Sequence, residues 1–420
     1  MRPEAKTINK VNYDILGSLK KPGLPVIIYA LPQEAEAIAY ACKDEGITVA
    51  AFCDNEKRKS EKLYCGLEVV HTPNLPSRFP KARVIIAHQN LTDSSDQLMS
   101  LGYDEIYSPL ELFKKFNVMK YEYKQAKVTK TYMATKIEVS KKNHELFFDD
   151  AKTFLRSLDL MITTKCSMNC ESCANLMQYY KSAENTDNEI LKSLEILNSN
   201  VDDILEFRII GGEPLMNKKW CEIANKILDQ NPNRTVFIYT NGTIAPTDKQ
   251  LETFAGKDVN FYITDYGKNS RNIEKMIENL KKNKVSFSRK PADNWVDCAS
   301  IRKHDRSVLR LKQVFKECCA KQLYTLLNGK LFTCPFIANA RNLKAIPDNK
   351  ADYVDLLSGD VNLKSKIRRL VKNNNFFPGC DFCDGRPHDP TKATEYAGKG
   401  LIKAAKQIPI SESLPFKTYQ

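Results

Sequence analysis

The residues best able to do chemistry in this chain are thiols. There are thirteen cysteines, and eight of them fall in two close-spaced sets. The first set is Cys166-x3-Cys170-x2-Cys173. Three thiolates on one short loop can hold three irons of a cubane and leave the fourth iron without a protein ligand. An open iron is a coordination site for a substrate or cofactor. A structural zinc would instead want four ligands, so a partner would have to come from elsewhere. The second set is Cys318-Cys319, Cys334 and Cys380-x2-Cys383. Between Cys319 and Cys334 lies an Asn328-Gly329 turn signal flanked by apolar residues, which reads as a hairpin. That hairpin would bring Cys334 back beside Cys318 or Cys319, either of which satisfies the spacing. Four thiolates suit a fully ligated cubane, and they also suit zinc. The cysteine count is odd, so internal disulfides could not use all of them. Close spacing in a chain of this kind points to metal or redox chemistry.

These loops need elements to hold them. Residues 158–162 read as a strand running into the first cysteine loop. Residues 205–210 read as a second strand, ending in Gly211-Gly212-Glu213-Pro214-Leu215. Two more strands end in Thr240-Asn241-Gly242 and in Thr264-Asp265. Strands alternating with helices favour a parallel sheet. A parallel α/β barrel puts its site at the strand C-terminal ends, so Thr240, Asn241, Thr264 and Asp265 are candidate ligand-holding residues. Residues 1–125 read as a separate α/β unit, with strands at 26–31, 47–52 and 84–87 and a helix at 32–46. Asp54 stands where a dinucleotide-binding fold places its ribose-contacting acid, but the loop Ala30–Ala35 contains no glycine. Close approach to a pyrophosphate is therefore not expected there. Residues 126–150 read as a connector with some helix, 151–300 as the second α/β region, 301–390 as its cysteine-bearing extension and 391–420 as a basic tail without assigned chemistry.

The Cys166–Cys173 loop, with Gly211–Leu215 following its next strand, resembles the radical S-adenosylmethionine (radical SAM) superfamily. The resemblance spans roughly residues 155–385. It implies a partial (β/α)6 barrel, a [4Fe-4S] cluster on Cys166, Cys170 and Cys173, and S-adenosylmethionine on its open iron. One electron would cleave the sulfonium, and the resulting radical would take a hydrogen atom from the substrate. Gly211, Gly212, Glu213 and Pro214 would bind the S-adenosylmethionine amino group, and Thr240, Asn241, Thr264 or Asp265 its ribose or the substrate. The residue before the third cysteine is usually aromatic in that family; here it is Ser172, so adenine packing would fall to Tyr179 or Ile210. The second cysteine set resembles the SPASM/twitch extensions of these enzymes. No cysteine follows Cys383, so the shorter twitch form fits, with one auxiliary [4Fe-4S] cluster on Cys318 or Cys319, Cys334, Cys380 and Cys383. The leftover thiol of the Cys318-Cys319 pair, or Cys298, would be either a buried thiol or a hydrogen-atom donor, as in some sugar epimerases of the superfamily. Arg302, with His304 and Arg306, would be either a base or phosphate clamp near the site or a solvated helix start.

The N-terminal unit looks like the small Rossmann-like domains of sugar-modifying enzymes. With the twitch pattern, this favours a carbohydrate or nucleotide-sugar substrate that is oxidised or epimerised. A peptide or protein substrate is the second reading, and an electron-transfer module without catalysis the third. The electron donor would be a flavodoxin or ferredoxin. The 420 residues include 42% apolar and 27% charged residues, a globular balance. The net charge of +13 is spread without a dense block, so nucleic acid is not expected as a partner. No apolar run reaches the ~18 residues that suggest a bilayer span. The sequence begins without an apolar signal core, which reads as cytoplasmic. His71, His88, His144 and His388 stand in no recognisable motif.

Overall fold

The computed structural model describes residues 15–89, 91–187, 189–232, 234–292, 294–387, 394–395, 400–411 and 413–419. The first residues of the chain and His388 lie outside them. The chain divides into two compact units, Met1–Lys152 and Thr153–Gln420.

The first unit is built on five parallel strands: β1 (Val26–Tyr29), β2 (Val49–Asp54), β3 (Val69–His71), β4 (Arg83–Ile86) and β5 (Ile106–Tyr107). Their order is β3-β2-β1-β4-β5, a Rossmann-like arrangement. Ile27, Ile28, Phe52 and Ile85 are fully buried, as strands covered on both faces require. Residues 126–150 do not simply connect. Most of them form the helix Lys130–Phe148, capped by Thr129, whose Oγ1 accepts from the Tyr132 N–H, and packed into this unit through Met133 and Ile137. Asp54 is occupied by its own surroundings: Oδ2 accepts from the Leu31 N–H at 2.9 Å and the Lys59 ammonium at 3.0 Å, and Oδ1 from the Glu56 N–H at 2.8 Å.

The second unit opens with β6 (Phe154–Leu155) and β7 (Leu158–Met161), followed by β8 (Asp203–Ile204), β9 (Glu206–Ile210), β10 (Thr235–Thr240), β11 (Val259–Asp265) and β12 (Ser286–Pro291). The short β6 and β8 pair with each other. Strands β7, β9, β10, β11 and β12 pair in parallel in sequence order, the partial barrel expected. β13 (Asn294–Val296) leaves this sheet. β14 (Tyr324–Leu327) then joins its opposite edge, parallel to β7, and β15 (Lys330–Phe332) and β16 (Tyr353–Asp355) extend it antiparallel. The cysteine-bearing extension therefore continues the barrel sheet past its first strand. The β14–β15 turn has Asn328 at φ 47° and Gly329 at φ 73°, the left-handed pair that a two-residue hairpin needs. β17 (Leu401–Lys403) pairs antiparallel with β13, so part of the tail belongs to the fold. Among the described residues, no helix is long and apolar enough to cross a membrane.

In the first unit, burial pushes the His144 imidazole down to about 3. Its Nδ1 lies 2.7 Å from Ser108 Oγ, while Nε2 has no partner among the described residues. Between pH about 3 and 6.5 the unfolded chain thus binds the extra proton. Stability from this group is complete above the unfolded pKa and is lost as pH falls. Amide exchange in the helix Lys130–Phe148 should accelerate between pH 7 and pH 4, after correction for intrinsic rates, and His144→Gln should flatten that dependence. An equal pH slope in both proteins would refute the linkage.

Candidate functional site: two thiol groups

The first cysteine loop is clamped from both sides. On one side, the Thr164 N–H donates to Glu184 O at 2.8 Å and Thr163 Oγ1 to the same carbonyl at 3.0 Å. On the other, the Gly212 N–H donates to Thr163 O at 3.1 Å and the Glu213 N–H to Lys165 O at 2.8 Å. This approach leaves no space for side chains. A Cβ on Gly211 would sit 2.4 Å from Thr163 O, and one on Gly212 would sit 2.4 Å from Lys165 O and 2.7 Å from Cys166 Cβ. The double glycine is thus required by the cysteine loop itself.

Glu213 is fully buried and faces its own protein. Its Oε1 accepts from Thr240 Oγ1 at 2.9 Å and the Leu215 N–H at 3.2 Å, and its Oε2 from the Asn241 N–H at 2.8 Å. Burial pushes its carboxyl up to about 7 against the pull of these donors. Asn241 passes the constraint on to the thiols. Its Nδ2 donates to Ser167 Oγ at 3.2 Å and lies 3.9 Å from Cys166 Sγ, while its Oδ1 accepts from the Thr243 N–H and Oγ1. Asp265 is engaged by Arg289 at 2.7 Å and by the Gly267 N–H at 2.8 Å. The Tyr266 phenol has its pKa raised by burial and then by the thiols of Cys173, Cys170 and Cys166. Tyr266, next to the expected Asp265, was not identified from the sequence; its ring meets Trp295 edge-on at 5.7 Å.

Ser172 has φ 53° and anchors the chain beyond β13. Its Oγ donates to Asp297 Oδ1 at 2.6 Å and accepts from the Cys298 N–H at 3.0 Å and the Ala299 N–H at 3.2 Å. A small hydroxyl residue here fixes Cys298 beside the first loop, a role an aromatic ring could not fill. Tyr179 is held by its own packing: its hydroxyl donates to Ala299 O at 3.1 Å and its ring meets Phe416 at 5.1 Å. Ile210 belongs to the hydrophobic core.

The second thiol group assembles from three separate segments. Cys334 caps the helix Pro335–Asn342, its Sγ accepting from the Ile337 N–H at 3.5 Å. Cys380 and Cys383 accept from the Phe377 N–H at 3.4 Å and the Gly385 N–H at 3.3 Å. Cys318 raises the thiol pKa of Cys334, Cys380 and Cys383, although burial is the larger cause in each. Its neighbour Cys319 is exposed. The C-x2-C loop is pinned hard. The Gly379 N–H donates to the buried Asp352 at 2.9 Å, and a Cβ on Gly379 would meet Ile337 at 2.9 Å. The Arg306 guanidinium donates to Cys383 O at 2.9 Å and its N–H to Asp381 at 2.9 Å. His304 Nε2 lies 3.2 Å from Asp384, Arg302 lies 3.5 Å from the same carboxylate, and Ser300 also bonds it. Arg302 and its two neighbours therefore brace this loop, and the Arg302 side chain is largely exposed.

One residue that sequence reasoning missed joins the two groups. Arg386 is buried, its Nη2 donates to Ala174 O at 2.6 Å, and its Nε has no partner among the described residues. Its guanidinium is felt by Cys173 of the first group, by Cys318 and Cys383 of the second, and by Cys319. Cys298 raises the Arg386, Cys173 and Cys383 pKa values, which places that thiol among the same residues. Burial is the first cause lifting the thiols: Cys166 to about 12, Cys170 to about 11 and Cys334 to about 11. Among the described residues, no group of three or more His, Cys, Asp or Glu is placed to hold a metal ion.

The family model described as the radical SAM superfamily matches residues 160–265. This chain carries a radical SAM domain. The matched span starts in β7, contains Cys166, Cys170, Cys173, Gly211–Pro214, Thr240 and Asn241, and ends at Asp265. A domain of this kind implies an enzyme with a [4Fe-4S] cluster and S-adenosylmethionine. Solved structures similar to the chain include BtrN in complex with AdoMet and 2-DOIA, at 17% identity and TM-score 0.36, covering 55% of this chain and 94% of that one. Native anSMEcpe with bound AdoMet and Cp18Cys peptide matches at 13% identity and TM-score 0.38, over 57% and 91% of the two chains. SuiB of Streptococcus suis bound to S-adenosylmethionine matches at 14% and TM-score 0.23, over 38% and 46%. No curated protein matches the chain.

The radical SAM domain should tolerate no Cβ at the double glycine. Gly212→Ala should cost about 1–3 kcal/mol, the range for overpacking a tight contact. Thermal unfolding checks this, and amide exchange at residues 163–165 should accelerate at the same time. A variant with unchanged melting and exchange would show that the loop can move aside.

Proposed function

We propose that the protein is a two-cluster radical SAM enzyme that abstracts a hydrogen atom from a carbohydrate or nucleotide sugar, leading to oxidation or epimerisation. The observation that carries this reading is the radical SAM match over residues 160–265, which contains the clamped Cys166–Cys173 loop; Arg386, buried and bonded to Ala174 O next to Cys173, supports a second thiol group near the first. Cys166, Cys170 and Cys173 offer three soft donors on a clamped loop, which fits a cubane with one open iron. Cys318, Cys334, Cys380 and Cys383 offer four, which fits a closed one; Cys318 is assigned over the exposed Cys319 because its thiol acts on the other three. Bound at these sites, the clusters would supply the electron that cleaves S-adenosylmethionine and an acceptor for an electron leaving the substrate.

The chain's own residues set the geometry. Glu213 fixes the ends of β9 and β10, and Asn241 holds the Cys166 side of the loop. Tyr266, just beyond β11, supplies a phenol whose pKa is raised by burial and then by the first-loop thiols. Ser172 anchors Cys298, which with Cys319 is a thiol outside both proposed ligand sets and so able to return a hydrogen atom to a substrate carbon. Support for a small substrate comes from the first unit. Its five-stranded parallel sheet differs from the winged-helix domain that leader-peptide binding would call for.

Protein reconstituted without oxygen should hold about eight irons per chain, two cubanes' worth. About four irons with one zinc would remove the second cluster from the proposal. Cys170→Ala should abolish 5′-deoxyadenosine formation while keeping the second cluster; retained cleavage would refute the first site. The substrate class is tested by 5′-deoxyadenosine release in deuterated water with a panel of nucleotide sugars, aminocyclitols and peptides. Stimulation by one sugar is expected. Carbon-bound deuterium in the product would identify return from a thiol and epimerisation, and a ketone without deuterium would identify oxidation. Stimulation only by a peptide would overturn the carbohydrate reading.

A further inference from the structure

The tail was given no chemistry by its sequence, yet residues 400–408 run from β13 to the first cysteine loop. The Asp297 N–H donates to Gly400 O at 2.9 Å, and β17 pairs with β13. Ala404 and Ala405 are buried, and Asn269 Nδ2 donates to Ala405 O at 3.2 Å. The chain then forms a short antiparallel bridge with the loop. The Glu171 N–H donates to Lys406 O at 2.7 Å and the Ile408 N–H to Asn169 O at 2.9 Å, with Asn169 Nδ2 donating to Ile408 O at 2.7 Å. Gln407 lies at the centre of this bridge, opposite Cys170.

The orientation of the Gln407 amide is fixed by its neighbours. Its Oε1 accepts from the Asn169 N–H at 2.8 Å, so that end must be the carbonyl. Its Nε2 then has two acceptors, Ala405 O at 2.8 Å and Cys170 Sγ at 3.1 Å. The side chain is thereby committed to donating to a sulfur of the radical SAM loop. Hydrogen bonds to cysteine sulfurs are among the levers that set an iron–sulfur potential. An N–H donor stabilises the more negative, reduced state and so raises the potential.

We propose that residues 400–408 are a constituent of the catalytic-cluster site, and that Gln407 is a positioning residue that donates to the Cys170 thiolate and raises the potential of that cluster alone. The inference rests on the reading that Cys170 holds iron. The test is a potentiometric titration of the reconstituted full-length protein followed by electron paramagnetic resonance, on wild type, Gln407→Leu and Gln407→Glu. Gln407→Glu keeps the acceptor for the Asn169 N–H but places an anion where the donor stood.

Both variants should shift the signal that disappears in Cys170→Ala to more negative potential, Gln407→Glu further than Gln407→Leu, and leave the second cluster's signal in place. Tryptic cleavage after Lys403 and Lys406 should be slow in the wild-type holoenzyme. An unchanged potential in both variants, an equal shift of both clusters, or tail cleavage as fast in the holoenzyme as in unfolded protein would overturn the proposal. If wild type shows no signal that depends on Cys170, the two-cluster reading itself fails and the inference falls with it.

Discussion

The site depends on one close approach: the end of β9 against the backbone of residues 163–165. Two hydrogen bonds, Gly212 to Thr163 and Glu213 to Lys165, tie the two loops, and the glycines are there because a Cβ would collide with the very carbonyls being bonded. Glu213 then carries the constraint sideways. Its carboxylate is surrounded by donors from β10 and from its own turn, so it works as a buried clasp between neighbouring strands. Through Asn241 the clasp reaches Cys166. The thiol loop has no regular structure of its own, and its rigidity is borrowed from the parallel sheet. This is how an irregular loop can hold donors at fixed separations.

The second thiol group borrows its rigidity differently. β14 docks on β7, the strand that leads into the first cysteine loop, so both groups are referenced to one strand. The turn at Asn328-Gly329 and the helix capped by Cys334 fix one side. The C-x2-C loop is held by Asp352, Arg306 and the Asp384 contacts of Ser300, His304 and Arg302. The basic residues around 302–306 thus brace a loop that has several carbonyls and carboxylates to satisfy.

What the sequence made legible was local. Cysteine spacing, the glycine pair, the Asn-Gly hairpin and the apolar strands can all be read within a dozen residues, and the elements formed within a residue or two of their expected limits. Strands as short as β3 and β5 were passed over because two or three residues carry no period. The helix Lys130–Phe148 was legible only in part, as some helix in a connector, because Met133 and Ile137, one turn apart, are its main apolar signal. Residue roles that depend on long-range pairing were not legible. Ser172 read as a loss of an aromatic residue and proved to be an anchor for residues 297–299. Glu213 was expected to bind S-adenosylmethionine with its neighbours; its burial against Thr240 and Asn241 was not legible. Arg386 and Gln407 carry no motif; only the fold, across 212 and 237 residues of chain, brings them to Ala174 and Cys170.

The electrostatics of the two groups argue that the thiol region is built for negative charge it does not generate alone. Burial raises the cysteines toward their neutral form, so the free thiols offer little anionic charge near pH 7. Arg386 cannot give up its proton, and among the described residues it has a single hydrogen-bonded carbonyl to offset its burial. A buried guanidinium left in that state is costly. Metal ligation reverses each part of the imbalance, because ligating thiols are deprotonated and the proposed iron–sulfur groups would place anionic sulfur on both sides of the guanidinium. On the two-cluster proposal, cofactor binding would be linked to folding of this region, with Arg386 as the counter-charge shared by both groups.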